Sequence, residues 1–214
     1  MKDIIKDYLW IDKITDVDND KIYDTCVKVG LQLEKWLPAT PDLKGYGSFS
    51  SRNFERYNLF TFLCPELHNL YSRLAVSIAT QLDPDTTYYI QSWVNLFENR
   101  SYIDWHGHWP SKYKAYHGFY CVNSKGLTES YTDYEIPGQS DTIRIMSEDG
   151  LVVLGKSDGD KHRSSNWDNF EKYRVTIAFD LVPVESIIAN INDNEPQSID
   201  FTTRFNHYIP FIMR

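Results

Sequence analysis

From Tyr173 to Leu181 the chain changes character at every step. Tyr173, Val175, Ile177, Phe179 and Leu181 form one set; Arg174, Thr176, Ala178 and Asp180 form the other. Side chains of a strand point alternately to its two faces. The pattern therefore specifies a strand with one apolar face and one face bearing a cation, a hydroxyl and a carboxylate. The apolar face needs cover, so the strand belongs in a sheet packed on that side.

Other β-rich stretches precede it, at 87–97, 102–109, 114–122, 142–146 and 151–154, with turn signals such as Asn99-Arg100-Ser101 between them. Short strands separated by turns predict a sandwich or barrel. Two helices come first. Over 19–37, Ile22, Cys26, Val29, Leu33 and Trp36 make one helical stripe, with Asp18 or Asn19 as cap and Pro38 and Pro41 as stop. Over 65–82, Pro65 opens a second helix whose stripe runs from Leu67 to Leu82, and Asp83-Pro84 ends it. This helix is expected to pack against a sheet. Residues 38–60 read as a loop with short strand pieces, and 123–138 as a polar excursion. The expected fold class is α+β, mainly β, in one domain. It has helical support and loop over 1–86, a β core over 87–183 and a C-terminal surface extension over 184–214.

Composition narrows the partners. A chain of 214 residues can bury one substantial core, and 15% aromatic content favours pleated surfaces. A net charge of −8 with no long basic run argues against nucleic acid or an anionic membrane as the main partner. Cys26, Cys64 and Cys121 are far apart and form no CxxC pair, which argues against a disulfide framework or a thiolate zinc site. The N-terminus is too charged for a signal peptide, and no apolar run approaches the roughly 18 residues of a membrane span. A cytoplasmic location is expected.

The candidate chemistry starts at Trp105-His106-Gly107-His108-Trp109-Pro110. In an extended run His106 and His108 share a face, and Asp104 falls on it as well. His162 lies far downstream in a polar segment. Neutral imidazoles suit a divalent transition metal. Arg174 offers a planar fork suited to a carboxylate, with Thr176 beside it on the same strand face. Together these suggest a metal site that handles an acidic co-substrate. Each residue also has a plain reading: surface histidines on a polar strand, a loop histidine, an edge arginine. Asp104 and Asp160 are weaker candidates for a carboxylate ligand, and His117, beside Gly118, is a weak candidate for facing substrate.

Taken in order, the chain offers Trp93-Val94-Asn95, His106-Gly107-His108, Gly118-Phe119-Tyr120, Gly150-Leu151-Val152-Val153-Leu154, His162, and Arg174-Val175-Thr176-Ile177-Ala178-Phe179-Asp180. Over about 87–183 this series resembles the Fe(II)- and 2-oxoglutarate-dependent dioxygenases, nearest to compact bacterial and phage versions. The resemblance implies a double-stranded β-helix, or jelly roll, with the 65–82 helix packed outside it. It implies iron held by His106, His108 and His162, and 2-oxoglutarate held at its far carboxylate by Arg174 and Thr176. Tyr120 and Asn95 are implied as further co-substrate contacts. With dioxygen, such a site decarboxylates 2-oxoglutarate to succinate and hydroxylates a C–H bond of a small molecule or a protein side chain.

One departure stands out. Most of that family has a carboxylate two residues after the first His, where this chain has His108. The exchange raises the net charge of the centre and softens the ligand set. It leaves two other readings open: a cupin-type three-His metalloprotein that does not use 2-oxoglutarate, and a non-catalytic jelly-roll binding or structural module. Arg174 separates the first of these, since a cupin has no need of a buried guanidinium.

Overall fold

A computed structural model describes residues 7–36, 51–126, 128–192 and 207–213. The proline stop of the first helix, the loop over 38–50 and the middle of the C-terminal extension lie outside those residues. The strands are β1 (Leu9–Lys13), β2 (Tyr88–Phe97), β3 (Tyr116–Asn123), β4 (Tyr131–Glu135), β5 (Ile143–Met146), β6 (Leu151–Lys156), β7 (Lys161–Ser164), β8 (Arg174–Pro183) and β9 (Ile209–Phe211). The helices are α1 (Asn19–Trp36), α2 (Pro65–Ile78) and α3 (Val184–Asn192).

The strands make two antiparallel sheets. The larger runs β1-β6-β3-β8-β2-β9 and the smaller β5-β4-β7. An isolated bridge between His106 and His162 adds the 103–106 segment to the free edge of β7. Most neighbouring strands are distant in sequence, and the chain crosses between the sheets at β3–β4, β5–β6, β6–β7 and β7–β8. That winding is the double-stranded β-helix, and its interior lies between the sheets.

The alternating strand β8 sits inside the larger sheet, paired on one side with β2 and on the other with β3. Its apolar residues face the helices. Helix α1 supplies Ile22, Cys26, Val29 and Leu33 to that layer. It lies close enough that a Cβ on Gly30 would come within 2.4 Å of Leu96 Cδ1. Asp18 starts the helix, its Oδ1 accepting from the Lys21 amide at 3.1 Å. Trp36, expected in the stripe, is instead exposed at the last turn.

Helix α2 is shorter than its sequence stripe. It ends at Ile78, and a 3₁₀ turn at Ala79–Gln81 follows. Its main contacts are α1 and the turn at Leu59–Thr61, so it backs the sheet from a second layer. The smaller sheet is pinned by a buried charge. Asp133 on β4 lies opposite Arg144 on β5 and Arg163 on β7, and both guanidinium groups donate to it.

Four strands escape the sequence pattern: β1 lies in the stretch expected as helical support and loop, β4 in the polar excursion, β7 in the polar segment around His162, and β9 in the surface extension. β1 and β9 form the two edges of the larger sheet, so the core draws on residues outside 87–183. Conversely, the 102–109 stretch is not a ladder strand. It runs extended with single bridges at Ile103 and His106.

Candidate metal and co-substrate site

The cavity between the sheets measures about 360 Å³. The larger sheet lines it with alternate residues of β2 (Trp93, Asn95, Phe97) and β8 (Arg174, Thr176, Ala178, Asp180). The smaller sheet and its bridge add Ile103, His106, His108, Thr132 and His162.

The bridge does the first piece of positioning. His106 and His162 exchange both backbone hydrogen bonds, at 3.1 and 2.9 Å. Residues paired in that way project side chains to the same face, and the two rings lie 4.3 Å apart. His108 completes the group at 5.5 Å from His106 and 5.1 Å from His162, ring centre to ring centre. One ligand atom from each of the three lies within 4.8 Å of the others.

Two of the rings are oriented by partners at Nδ1. For His106 the partner is the Asp104 carbonyl oxygen at 2.8 Å; for His108 it is Asp180 Oδ1 at 2.6 Å. Asp180 also accepts from the Trp109 indole N–H at 2.9 Å. With Nδ1 engaged, coordination from both rings falls to Nε2, the arrangement in which a histidine ligand is steered from behind. Asp104 itself is exposed and supports the site through its backbone, not its carboxylate.

Burial pushes His106 down to about 4, with the neighbouring His108 the next cause. His162 is held well below its ordinary range for the same reason, burial first and the neighbouring histidines after. Neutral imidazoles bind metal without displacing a proton. The donor set therefore fits a divalent transition ion.

The other end of the cavity is polar in the opposite sense. Arg174 is 1% exposed, and its Nη2 donates to Ser147 Oγ at 3.0 Å, while Nε and Nη1 have no hydrogen-bond partner. Its guanidinium lies 5.1 Å over the Phe97 ring. The Cys121 thiol, which feels this charge, is pushed up to about 11 by burial and stays neutral at pH 7. An arginine cannot shed its proton, so a buried one without an anion is costly. Thr176 Oγ1 accepts from Asn95 Nδ2 at 3.1 Å, and Asn95 Oδ1 is buried without a partner. Arg174, Thr176 and Asn95 thus gather at one place.

Tyr120 does not join them. It points to the other face of β3, where its hydroxyl donates to Asn19 Oδ1 at the start of α1. The strand period decides this: His117 and Phe119 line the cavity, so Tyr120 cannot. His117 is more central than its sequence suggests, 4.8 Å from the rings of both His108 and His162. Asp180 was also passed over as a site residue. Its signal was present, since it shares a strand face with Arg174 and Thr176.

Neither the protein-family models nor the curated proteins include a match to this chain. Solved structures do show the fold. A prolyl hydroxylase from Trichoplax adhaerens, in complex with a hypoxia inducible factor oxygen degradation domain peptide fragment, superposes with a TM-score of 0.57. The identity is 11%, over 86% of this chain and 88% of that one. A Pseudomonas putida prolyl-4-hydroxylase gives a TM-score of 0.51 at 7% identity, over 85% of this chain and 95% of that one. An oxidoreductase of the 2OG-Fe(II) oxygenase family from Burkholderia pseudomallei aligns more loosely, at a TM-score of 0.45 and 10% identity. This chain spans 56% of itself and 59% of that protein in the alignment.

Proposed function

We propose that the protein is an Fe(II)- and 2-oxoglutarate-dependent oxygenase that hydroxylates a C–H bond. The observation that carries the reading is Arg174. A buried guanidinium with two unpartnered nitrogens shares a small cavity with three convergent imidazoles. A dicarboxylate that chelates a metal at one end and needs a cation at the other answers both features. A cupin-type centre answers only the first.

His106, His108 and His162 would hold the iron, and bound iron with 2-oxoglutarate and dioxygen supplies oxidative decarboxylation to succinate coupled to hydroxylation. The chain's own residues do the rest. Arg174 neutralises the far carboxylate through paired N–H groups. The Thr176 hydroxyl stands beside it. Its oxygen accepts from Asn95 Nδ2, which leaves the O–H free to donate to the carboxylate. Phe97, Ile103 and Ala178 keep the cavity apolar between the two polar ends, which strengthens both interactions. Asp180 places a carboxylate directly behind His108. This puts back near the centre a charge that the missing aspartate ligand would have carried.

The fold neighbours that act on prolyl residues make a protein side chain a reasonable substrate class beside a small metabolite. The test is spectroscopic. Adding 2-oxoglutarate to the Fe(II) protein without oxygen should produce a visible metal-to-ligand absorption band, and Arg174→Leu should weaken it. Absence of the band in the unmodified protein would leave the cupin-type or non-catalytic reading.

A further inference from the structure

Next to the three-histidine group lies a second set of donors that the proposed reaction does not use. His117 Nε2 and Asp160 Oδ2 are 3.3 Å apart, yet neither makes a hydrogen bond. His162 Nδ1 is also buried without a partner. These three residues form a group of their own, one ligand atom from each lying within 4.8 Å of the others. The three orphaned atoms belong to the same three residues that can jointly hold an ion.

The local chemistry calls for a cation there. His117 Nδ1 lies 3.3 Å from Ser157 Oγ, which occupies that side of the ring. Nε2 is then left facing a carboxylate oxygen. Two electron-rich atoms in that position need a proton or a metal ion between them. At 3.3 Å the two atoms make no hydrogen bond, which disfavours the proton. Ligands about 2.0–2.2 Å from a shared ion sit about 3 Å apart when adjacent, close to the spacing found.

The surroundings are built for this arrangement. Gly155 faces His117 across the β3–β6 ladder. A Cβ at Gly155 would fall 2.7 Å from His117 Cε1 and 2.8 Å from its Nε2, so a larger residue would displace the ring. Tyr134 stacks over both rings, 6.0 Å from His117 and 5.1 Å from His162.

We infer that His117, Asp160 and His162 form a second seat for a divalent transition-metal ion, beside the His106–His108–His162 seat and sharing His162 with it. His162 bridges the two seats as an imidazolate, with Nδ1 to the inner and Nε2 to the outer, and its ring N–H proton is released to solvent when both are filled. Two imidazoles and one carboxylate suit Zn(II), Co(II) or Fe(II). The inner seat shares one residue with the proposed iron centre and is independent of 2-oxoglutarate.

The experiment is Co(II) loading of the metal-stripped full chain, read as metal content per chain together with the visible Co(II) spectrum. Two Co(II) per chain are expected. Asp160→Asn and His117→Gln should each bind one. A His106→Ala/His108→Ala double variant should also bind one, with a different spectrum because a different seat is filled. Gly155→Ala serves as a further variant that displaces the His117 ring while keeping every donor, and it too should bind one. One Co(II) per chain in the unmodified protein, kept in Asp160→Asn and lost in the His106→Ala/His108→Ala double variant, overturns the inner seat, as does retention of two in both Asp160→Asn and His117→Gln. Loss of the ion that depends on His106 and His108, with the inner ion kept, would instead count against the proposed iron centre alone.

Discussion

His108 and Asp180, far apart in sequence, meet with Nδ1 and Oδ1 2.6 Å apart. A carboxylate behind a ligating imidazole fixes its orientation and raises its basicity. Asp180→Ala is therefore expected to weaken Fe(II) or Co(II) binding at the outer seat about 10- to 100-fold. Asp180→Asn keeps a hydrogen-bonding group without the charge and should fall between. Competition against a coloured chelator measures the three affinities. Equal values would reduce Asp180 to a partner for the Trp109 indole.

Arg174 gives a prediction with two opposite signs. In the ligand-free protein its charge is buried with two nitrogens unsatisfied. Replacing it with an apolar residue of similar volume is expected to be neutral or stabilising by about 1–4 kcal/mol. Saturating 2-oxoglutarate should stabilise the metal-loaded wild type, by about 2.7 kcal/mol at a hundred times its Kd. It should stabilise Arg174→Met far less. Urea unfolding with and without the ligand reads both effects. An equal ligand shift in the two proteins would remove Arg174 from co-substrate binding.

These two residues show how much the sequence could disclose. The β8 alternation placed Arg174, Thr176 and Asp180 on one face, and the structure agrees. The three histidines were legible as a set because each falls in a β-rich or polar segment where a buried imidazole has no packing role. The approach of His162 to the other two was not legible, since it depends on a two-residue bridge between the 103–106 segment and β7. Tyr120 was misplaced because a motif match ignores strand parity. His117 stayed weak because its partners come from elsewhere, Asp160 from the loop before β7 and His162 from β7 in the other sheet. β1 and β9 are edge strands of 5 and 3 residues. Such strands carry too few alternations to register, and tertiary pairing makes them strands.

Acid should destabilise the metal-free fold through the buried histidines. His106 is pushed down to about 4, and His117 and His162 well below their ordinary range. Below about pH 6.5 the unfolded chain takes up protons at these positions and the folded chain does not. Each such histidine lowers stability by up to about 1.4 kcal/mol per pH unit as pH falls. Asp160 works the other way. Burial raises its carboxyl to about 6, so from there down to about 4 the folded state binds a proton first and offsets one of the three slopes. The urea midpoint should therefore drop between pH 7 and pH 5, and bound Zn(II) should raise the midpoint at each pH without flattening the drop. A midpoint that stays level without metal would mean the histidines titrate normally and are not held neutral in the cavity.

Thr176→Val tests the polar cluster at the Arg174 end. It leaves Asn95 Nδ2 buried without the Thr176 oxygen that accepts from it. A cost of about 1–3 kcal/mol in stability is expected, together with weaker 2-oxoglutarate binding. Thr176→Ser should recover most of both. A valine variant with unchanged ligand affinity would confine Thr176 to a packing role.

The most direct measurement is a crystal structure of the metal-loaded protein with 2-oxoglutarate, grown without oxygen. The expected density shows an ion bonded to His106, His108 and His162, and a dicarboxylate running from that ion to the Arg174 guanidinium. A dicarboxylate bound elsewhere, or an ion ligated by none of those three rings, would contradict the proposed activity.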